Sequence, residues 1–265
     1  MLDGLLRAAL LGLAVIAALA VLTWLVSLAR RDVSVVDSLW SIFITTGGVV
    51  YAATLPWANA RPALMLALAA AWALRLAVYI TWRNHGHGED RRYQQIRARN
   101  QPNFEFKSLY LIFLLQAVLA WIVSAPFLAG ISGTKPINAL DVVGAALAAF
   151  GIVFEAVGDQ QMARFKADPA NRGQVMDRGL WRYTRHPNYF GECCTWWGLY
   201  LIALAAGGGG WWSIVSPLLM TVLLLKVSGV SLLEADIGER RPAYRDYIAR
   251  TSAFVPGWPR SKEPS

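Results

Sequence analysis

A chain of 265 residues that is 56% hydrophobic and only 16% charged, with a mean hydropathy of +0.39, is too apolar for a soluble domain, where charged residues make up roughly a quarter. The formal net charge of +8 suits nucleic acid in principle, but the basic residues sit in loops between apolar runs rather than on one polar domain, which excludes that partner. The two cysteines, Cys193 and Cys194, are adjacent; neighbouring residues rarely meet disulfide geometry, so both are read as reduced.

Runs of about 20 apolar residues mark membrane-crossing helices. In chain order they fall at Leu5–Leu28, Val35–Leu55, Pro62–Trp82, Leu109–Leu128, Leu140–Met162, Tyr189–Ala206 and Trp211–Val230. The first run has no small-residue cleavage site before Arg30 and Arg31, so it reads as a retained helix and not a signal peptide. No repeat, linker or second soluble domain interrupts the pattern. The expectation is an all-α integral membrane protein, one membrane domain over residues 1–265, with seven transmembrane helices and cofactor-binding loops on the cytoplasmic side. The 12 Trp and nine Tyr suit aromatic belts at the interfaces.

Loop charge sets the direction. Residues 30–33, 83–108, 163–188 and 231–265 would share one side, and they hold 20 of the 25 Lys and Arg. Arg7, Arg61 and Lys135 lie opposite. Because Lys and Arg concentrate on the cytoplasmic side, the N-terminus should be outside and the C-terminus inside, in a membrane of the bacterial inner (plasma) type.

Ionisable groups at membrane depth are costly and mark candidate sites. Asp37, a lone carboxyl at the start of the second span, reads as a helix N-cap or as a proton donor in an apolar cavity, where burial raises a carboxyl pKa. After the third span, Arg83-Asn-His85-Gly-His87-Gly-Glu89-Asp90-Arg91-Arg92-Tyr93 offers charges for phosphate or adenine on a backbone made bendable by two glycines; an ordinary basic loop explains it equally well. Two His without Cys or an HExxH-like helix do not make a metal site, and no metal is expected. Near the end of the fifth span Glu155 and Asp159 share a helix face. They suit hydrogen bonds from a ribose or an amide, with Arg164 and Lys166 toward a phosphate; helix-end acids neutralised by basic neighbours are the bland alternative.

The most informative stretch opens the sixth span: Gly179-Leu-Trp-Arg-Tyr-Thr-Arg185-His186-Pro-Asn188-Tyr189-Phe-Gly-Glu192-Cys-Cys-Thr-Trp196. Arg185 and His186 precede a proline that stops a helix from running back through them. Asn188 and Glu192 share a face one turn before Trp196. A planar guanidinium grips phosphate through two oxygens, so the stretch reads as a phosphate clamp with polar groups reaching inward. A positive-inside anchor accounts for the arginines but not for Asn188 or Glu192. Last, Glu234 and then Glu239-Arg-Arg241-Pro-Ala-Tyr244-Arg-Asp-Tyr247 form an amphipathic segment that suits a lid over a cofactor or a helix lying on anionic headgroups.

Arg185-His-Pro-Asn-Tyr189-x-Gly-Glu192 resembles the signature of the membrane steroid 5α-reductase family, in particular its bacterial branch. The wider superfamily includes sterol C14-reductases and isoprenylcysteine carboxyl methyltransferases. The resemblance runs from about Asp37 to Pro256, but only this stretch is specific. It implies a seven-helix bundle that takes NADPH from the cytoplasm and an apolar enone from the membrane. It implies cofactor contacts at Asn188, Glu192, Trp196 and Asp159, with Glu155 where the family often has Asn and Lys166 where Arg is usual. Tyr79, four residues after Arg75, matches an Arg-x-x-x-Tyr element beside the cofactor. Asp37 falls near a Glu that helps to polarise the steroid ketone, although Val36 stands where the family has Gln. The family's catalytic Tyr has no clear match, and Trp72 stands in its place.

The expected function is therefore NADPH-dependent reduction of an activated C=C bond in a steroid-like or other lipid substrate, with Asp37 hydrogen-bonding the carbonyl. Cofactor binding is assigned to Tyr79, Arg83, Glu155, Asp159, Arg164, Lys166, Arg185, His186, Asn188, Tyr189, Glu192, Trp196, Arg241, Tyr244 and Tyr247. The alternative is an S-adenosylmethionine-dependent methyltransferase acting on a lipid-like acceptor. A non-enzymatic lipid-binding scaffold ranks below both, because it leaves Asn188, Glu192 and Asp159 without a role. No GxGxxG motif is present, and Gly207–Gly210 lacks the strand–helix context such a motif needs.

Overall fold

The structure, a computed structural model, describes residues 2–227, 230, 234 and 242–260. Among these residues all regular structure is helical. The main helices are α1 (Leu2–Arg30), α2 (Val35–Thr54), α3 (Arg61–Asn84), α4 (Arg91–Arg99), α5 (Phe104–Ser132), α6 (Ala139–Ala167), α7 (Pro187–Ala205), α8 (Gly210–Val227) and α9 (Ala243–Arg250). Six of them, α1, α2, α3, α5, α6 and α8, are long and apolar enough to cross a membrane, and they make this a membrane protein. The seventh expected span is a helix of 19 residues, α7. It is long enough, but Asn188, Gly191 and Glu192 in its first turns dilute its hydropathy, and it does not join the six on composition. The last expected span, Trp211–Val230, runs partly outside the described residues.

The chain divides into two compact units: residues 1–145 with 199–216, and residues 146–198 with 217–265. In the first, small residues let helices approach closely, as membrane helix packing requires. A Cβ on Gly12 of α1 would lie 2.5 Å from the Tyr51 ring of α2. The Tyr51 hydroxyl meets Ser124 Oγ at 3.0 Å, and Trp121 Nε1 donates to the Ala9 carbonyl at 2.9 Å. At the start of α3 and α6 lies a wholly buried ion pair. Arg61 donates to Asp141 through Nε at 2.7 Å and Nη2 at 2.9 Å, and to the Lys135 and Pro136 carbonyls at 2.9 and 3.1 Å. Both side chains are 0% exposed. Arg61, expected as a loop charge, is thus a core residue tying the 135–141 turn to α3.

In the second unit α6 and α7 run antiparallel in backbone contact. A Cβ on Gly151 would sit 2.4 Å from the Gly191 carbonyl oxygen, and one on Gly191 would sit 2.6 Å from Glu155 N. Further along, Gly158 packs on Pro187 and Asn188. The register therefore sets Glu155 and Asp159 of α6 beside the Asn188–Glu192 turn of α7. The loop after α6 folds back through Leu180 N, which donates to Gln161 Oε1 at 2.9 Å, and through Trp181 Nε1, which donates to the Gly158 carbonyl at 3.0 Å.

Candidate functional site

The first unit holds one carboxylate–phenol–guanidinium cluster. Asp32 Oδ1 accepts from Ser34 N at 2.8 Å, and Ser34, not Asp37, is the N-cap of α2. Asp37 is the third residue of that helix. It is not a lone carboxyl: Tyr93 donates its hydroxyl to Oδ1 at 2.6 Å, and Arg92 Nη2 donates to Oδ2 at 2.6 Å. Both partners come from α4, a helix capped by Asp90, whose side chain accepts from Arg92 N at 2.8 Å. That helix is docked on the α1–α2 turn. Asp90 N donates to Ser34 Oγ at 2.6 Å, and Glu89 accepts from Val33 N at 3.0 Å and from Arg97 at 2.8 and 2.9 Å. Burial pushes the Glu89 carboxyl up, but the Arg97 hydrogen bonds and the Val33 amide outweigh it and hold it below its usual range.

Tyr93 is 6% exposed. Burial, and then the Asp37 charge, push its phenol well above the usual value, so it keeps its proton and donates. Gln116 Nε2 donates to the Tyr93 oxygen at 3.3 Å. Arg92 and Tyr93 were visible in the sequence only as part of a basic loop; the available signal was Asp90 as an N-cap ahead of a short helix. Tyr79 and Arg83 belong to this same unit. The Tyr79 ring faces the Arg83 guanidinium at 5.9 Å, and Arg83 Nε also donates to Asn84 Oδ1 at 3.1 Å.

The second unit gathers the remaining candidates. Glu155, Asp159 and Glu192 are buried at 2, 5 and 6% exposure, and Trp196 is fully buried. Asn188 Oδ1 is buried and accepts no hydrogen bond from any described residue. An acceptor left so is costly unless a donor reaches it. Arg164 and Lys166, at the end of α6, are exposed.

Arg185 and His186 are arranged differently from a phosphate clamp. Arg185 forks onto Glu234, with Nε to Oε1 at 2.7 Å and Nη2 to Oε2 at 2.8 Å. Its Nη1 donates to the carbonyls of Ile248, at 3.1 Å, and Thr251. Four of its five N–H groups are thereby used. Because a carboxylate only accepts, His186 Nε2 carries the proton in its 2.9 Å bond to Glu234 Oε1. Burial raises the Glu234 carboxyl, but the His186 and Arg185 hydrogen bonds and the Arg185 charge outweigh it and hold it at about 2. The same pair pulls the C-terminal segment onto the loop before α7: Arg185 N donates to the Ser252 carbonyl at 2.9 Å and Thr184 Oγ1 to the Phe254 carbonyl at 2.7 Å.

Tyr189 stacks on His186 with centroids 5.5 Å apart. Tyr247 is 1% exposed; its hydroxyl donates to the Trp181 carbonyl, and its ring meets Tyr244 edge-on at 5.2 Å. Tyr247 therefore helps to hold the C-terminal segment in place. Arg241 lies outside the described residues.

No solved structure matches this chain. An uncharacterized protein of Schizosaccharomyces pombe is 26% identical over 263 residues, covering 88% of this chain and 75% of the relative. The family model described as "Protein of unknown function (DUF1295)" matches residues 23–251. The chain thus belongs to the DUF1295 family, which is related to the steroid 5α-reductase-like membrane proteins.

Proposed function

We propose that this protein is an NADPH-dependent reductase of an activated C=C bond in a steroid-like or other lipid substrate. In this reading it sits in the inner membrane with its N-terminus outside and its C-terminus in the cytoplasm. The observation that carries the proposal is the Tyr93–Asp37–Arg92 cluster. A protonated phenol held by a carboxylate, with a guanidinium beside it, suits stabilising negative charge on a carbonyl oxygen; a methyl transfer to a lipid acceptor has no such demand.

The residues of the second unit fit the dinucleotide. The buried carboxylates Glu155, Asp159 and Glu192 suit hydroxyl and amide donors. Asn188 Oδ1 awaits an N–H donor of the carboxamide kind, and exposed Arg164 and Lys166 suit phosphates. When bound, NADPH supplies the hydride that adds to the β-carbon of the enone. The protein's part is recognition and charge. Tyr93 turns its proton from Asp37 to the substrate oxygen as enolate character develops. Arg92 keeps a positive charge beside Asp37, and Gln116 orients the phenol. The α-carbon then takes its proton from water.

Calorimetric titration of the purified protein with NADPH and with S-adenosylmethionine decides the cofactor. NADPH alone should bind; binding of S-adenosylmethionine alone overturns the reductase and leaves the methyltransferase. Asp37→Asn should keep NADPH affinity and lose turnover of 4-en-3-one substrates, and wild-type turnover would reduce Asp37 to a structural tie. A C-terminal phosphatase fusion should be silent in the periplasm, and an active one reverses the orientation.

A further inference from the structure

We propose a second anion site in the second unit, outside the residues assigned to the nucleotide: an arginine-lined pocket that takes a phosphate group. A cavity of about 610 Å³ opens between the loop before α7 and the end of the C-terminal segment. Its wall includes Arg178, Arg182, Arg250 and Arg260, with Asp177 as the one acidic side chain. Four guanidinium groups against one carboxylate leave an excess of positive charge. Arg250 Nη2 meets Asp177 Oδ2 at 2.5 Å, so Asp177 is already engaged. The Nε of Arg250 is buried and donates to no described residue, which leaves a buried cationic donor in need of an acceptor. Among the described residues, nothing accepts a hydrogen bond from the side chains of Arg178, Arg182 or Arg260.

The backbone that carries these side chains is preset. Gly179 has φ +58°, and a Cβ there would lie 2.6 Å from the Gln161 amide, so the turn between Arg178 and Arg182 favours glycine and packs against α6. On the other wall, Arg260 N donates to the Arg250 carbonyl at 2.9 Å, which fixes the separation of those two residues. A positioning of this kind lowers the ordering cost of binding an anion. Guanidinium forks match phosphate oxygens two at a time. Arg178, Arg182 and Arg260 are exposed, as in an ordinary positive-inside loop, but such a loop does not gather its arginines on the wall of one cavity beside a buried Nε that donates to no described residue.

The phosphate has two sources. The segment that supplies Arg260 also carries Trp258, 84% exposed, and Val255, 63% exposed. Exposed Trp beside cations is the pattern of a headgroup contact, so an anionic lipid is one source and a soluble phosphate compound is the other. The test uses full-length protein in a neutral detergent. Its melting temperature is followed against dioleoyl phosphatidic acid, dioleoyl phosphatidylcholine, inorganic phosphate, and chloride at matched ionic strength. We expect stabilisation by phosphatidic acid, by inorganic phosphate, or by both, and none by phosphatidylcholine or chloride. Phosphatidic acid alone identifies a lipid headgroup; inorganic phosphate alone identifies a soluble ligand. Arg178→Gln with Arg182→Gln should raise the half-saturating concentration at least tenfold while leaving the melting temperature without ligand unchanged, since neither side chain bonds to the fold. If that pair lowers the baseline, Arg260→Gln provides the same comparison. No stabilisation by either phosphate ligand, or unchanged half-saturation in both variants, overturns the site. Loss of phosphate binding when NADPH is added in saturating amount also overturns it, because the cavity would then be part of the nucleotide site.

Discussion

Replacing Glu234 with Gln removes one charge at the junction where the loop before α7 meets the C-terminal segment. The carboxyl is held at about 2 against its ordinary 4.5. At about 1.36 kcal/mol per pKa unit, that depression corresponds to about 3 kcal/mol of stability. Little of it is lost to solvent screening, since the Arg185 and Glu234 side chains are 8 and 16% exposed. Removing one partner of a buried pair costs a similar ~3–5 kcal/mol, because the other charge is left uncompensated. The contribution is fully present above about pH 4.5 and is lost as the pH falls through about 2. The element that opens should be residues 242–260, which Arg185 binds through the Ile248 and Thr251 carbonyls. Limited trypsin digestion in detergent reads that opening at Arg245 and Arg250 when reclosing is fast. At pH 7 the Glu234→Gln protein should be cut roughly a hundredfold faster, the factor that about 3 kcal/mol implies. With an acid protease the gap between variant and wild type should close as the pH drops from about 4.5 toward 2. Equal digestion at pH 7, or a gap that ignores pH, refutes the role assigned to this charge.

Tyr93→Phe should retain NADPH affinity and lose turnover at least as severely as Asp37→Asn, because the donor itself is gone; the comparison is made by calorimetry and by NADPH consumption with enone substrates. Asn188→Ala and Glu192→Ala should each weaken NADPH binding while the protein stays folded. For Asn188, one neutral hydrogen bond of roughly 0.5–1.5 kcal/mol means an increase in Kd of roughly two- to tenfold, and a lower melting temperature with unchanged Kd would make the residue structural. Arg61→Met should destabilise by roughly 3–5 kcal/mol in dodecyl sulfate unfolding from mixed micelles, since it strands Asp141 without its partner. Arg61→Met with Asp141→Leu should recover most of that loss, and a double variant no better than the single one would place the cost elsewhere.

The spans were legible because a bilayer imposes a length of about 20 apolar residues on any helix that crosses it. The same rule explains the ambiguity of α7: Asn188 and Glu192 in its opening turns lower the hydropathy that marks a span. Helix α4 escaped notice for a different reason. Its nine residues, Arg91–Arg99, include six polar or charged neighbours around the buried Tyr93, and a loop read for its charge gives no period to detect. Pairings across long stretches of chain were not visible at all. Asp37 and Arg92 are 55 residues apart, and Arg61 and Asp141 are 80 apart. Each charge has a sufficient local explanation, as a cap or as an orientation signal, until the fold brings its partner to it.

The stretch from Arg185 to Glu192 shows why residue types alone do not say what an arginine binds. An arginine before a helix looks the same whether it binds a ligand or ties the chain, and the partner that decides, Glu234, lies 49 residues on. Arg185 and His186 are committed to Glu234. The turn that follows presents Asn188 with a buried acceptor lacking a donor and, beside it across the glycine contacts, the acids of α6. Under the proposed function, such a surface would accept hydrogen bonds from N–H and O–H groups of the ligand. Under the proposed function, the phosphates fall to Arg164 and Lys166, which are exposed at the end of α6. The first half of the signature builds the frame, and the proposal gives the second half the ligand. Substitutions at Arg185 should accordingly register first in stability, and those at Asn188 and Glu192 first in affinity.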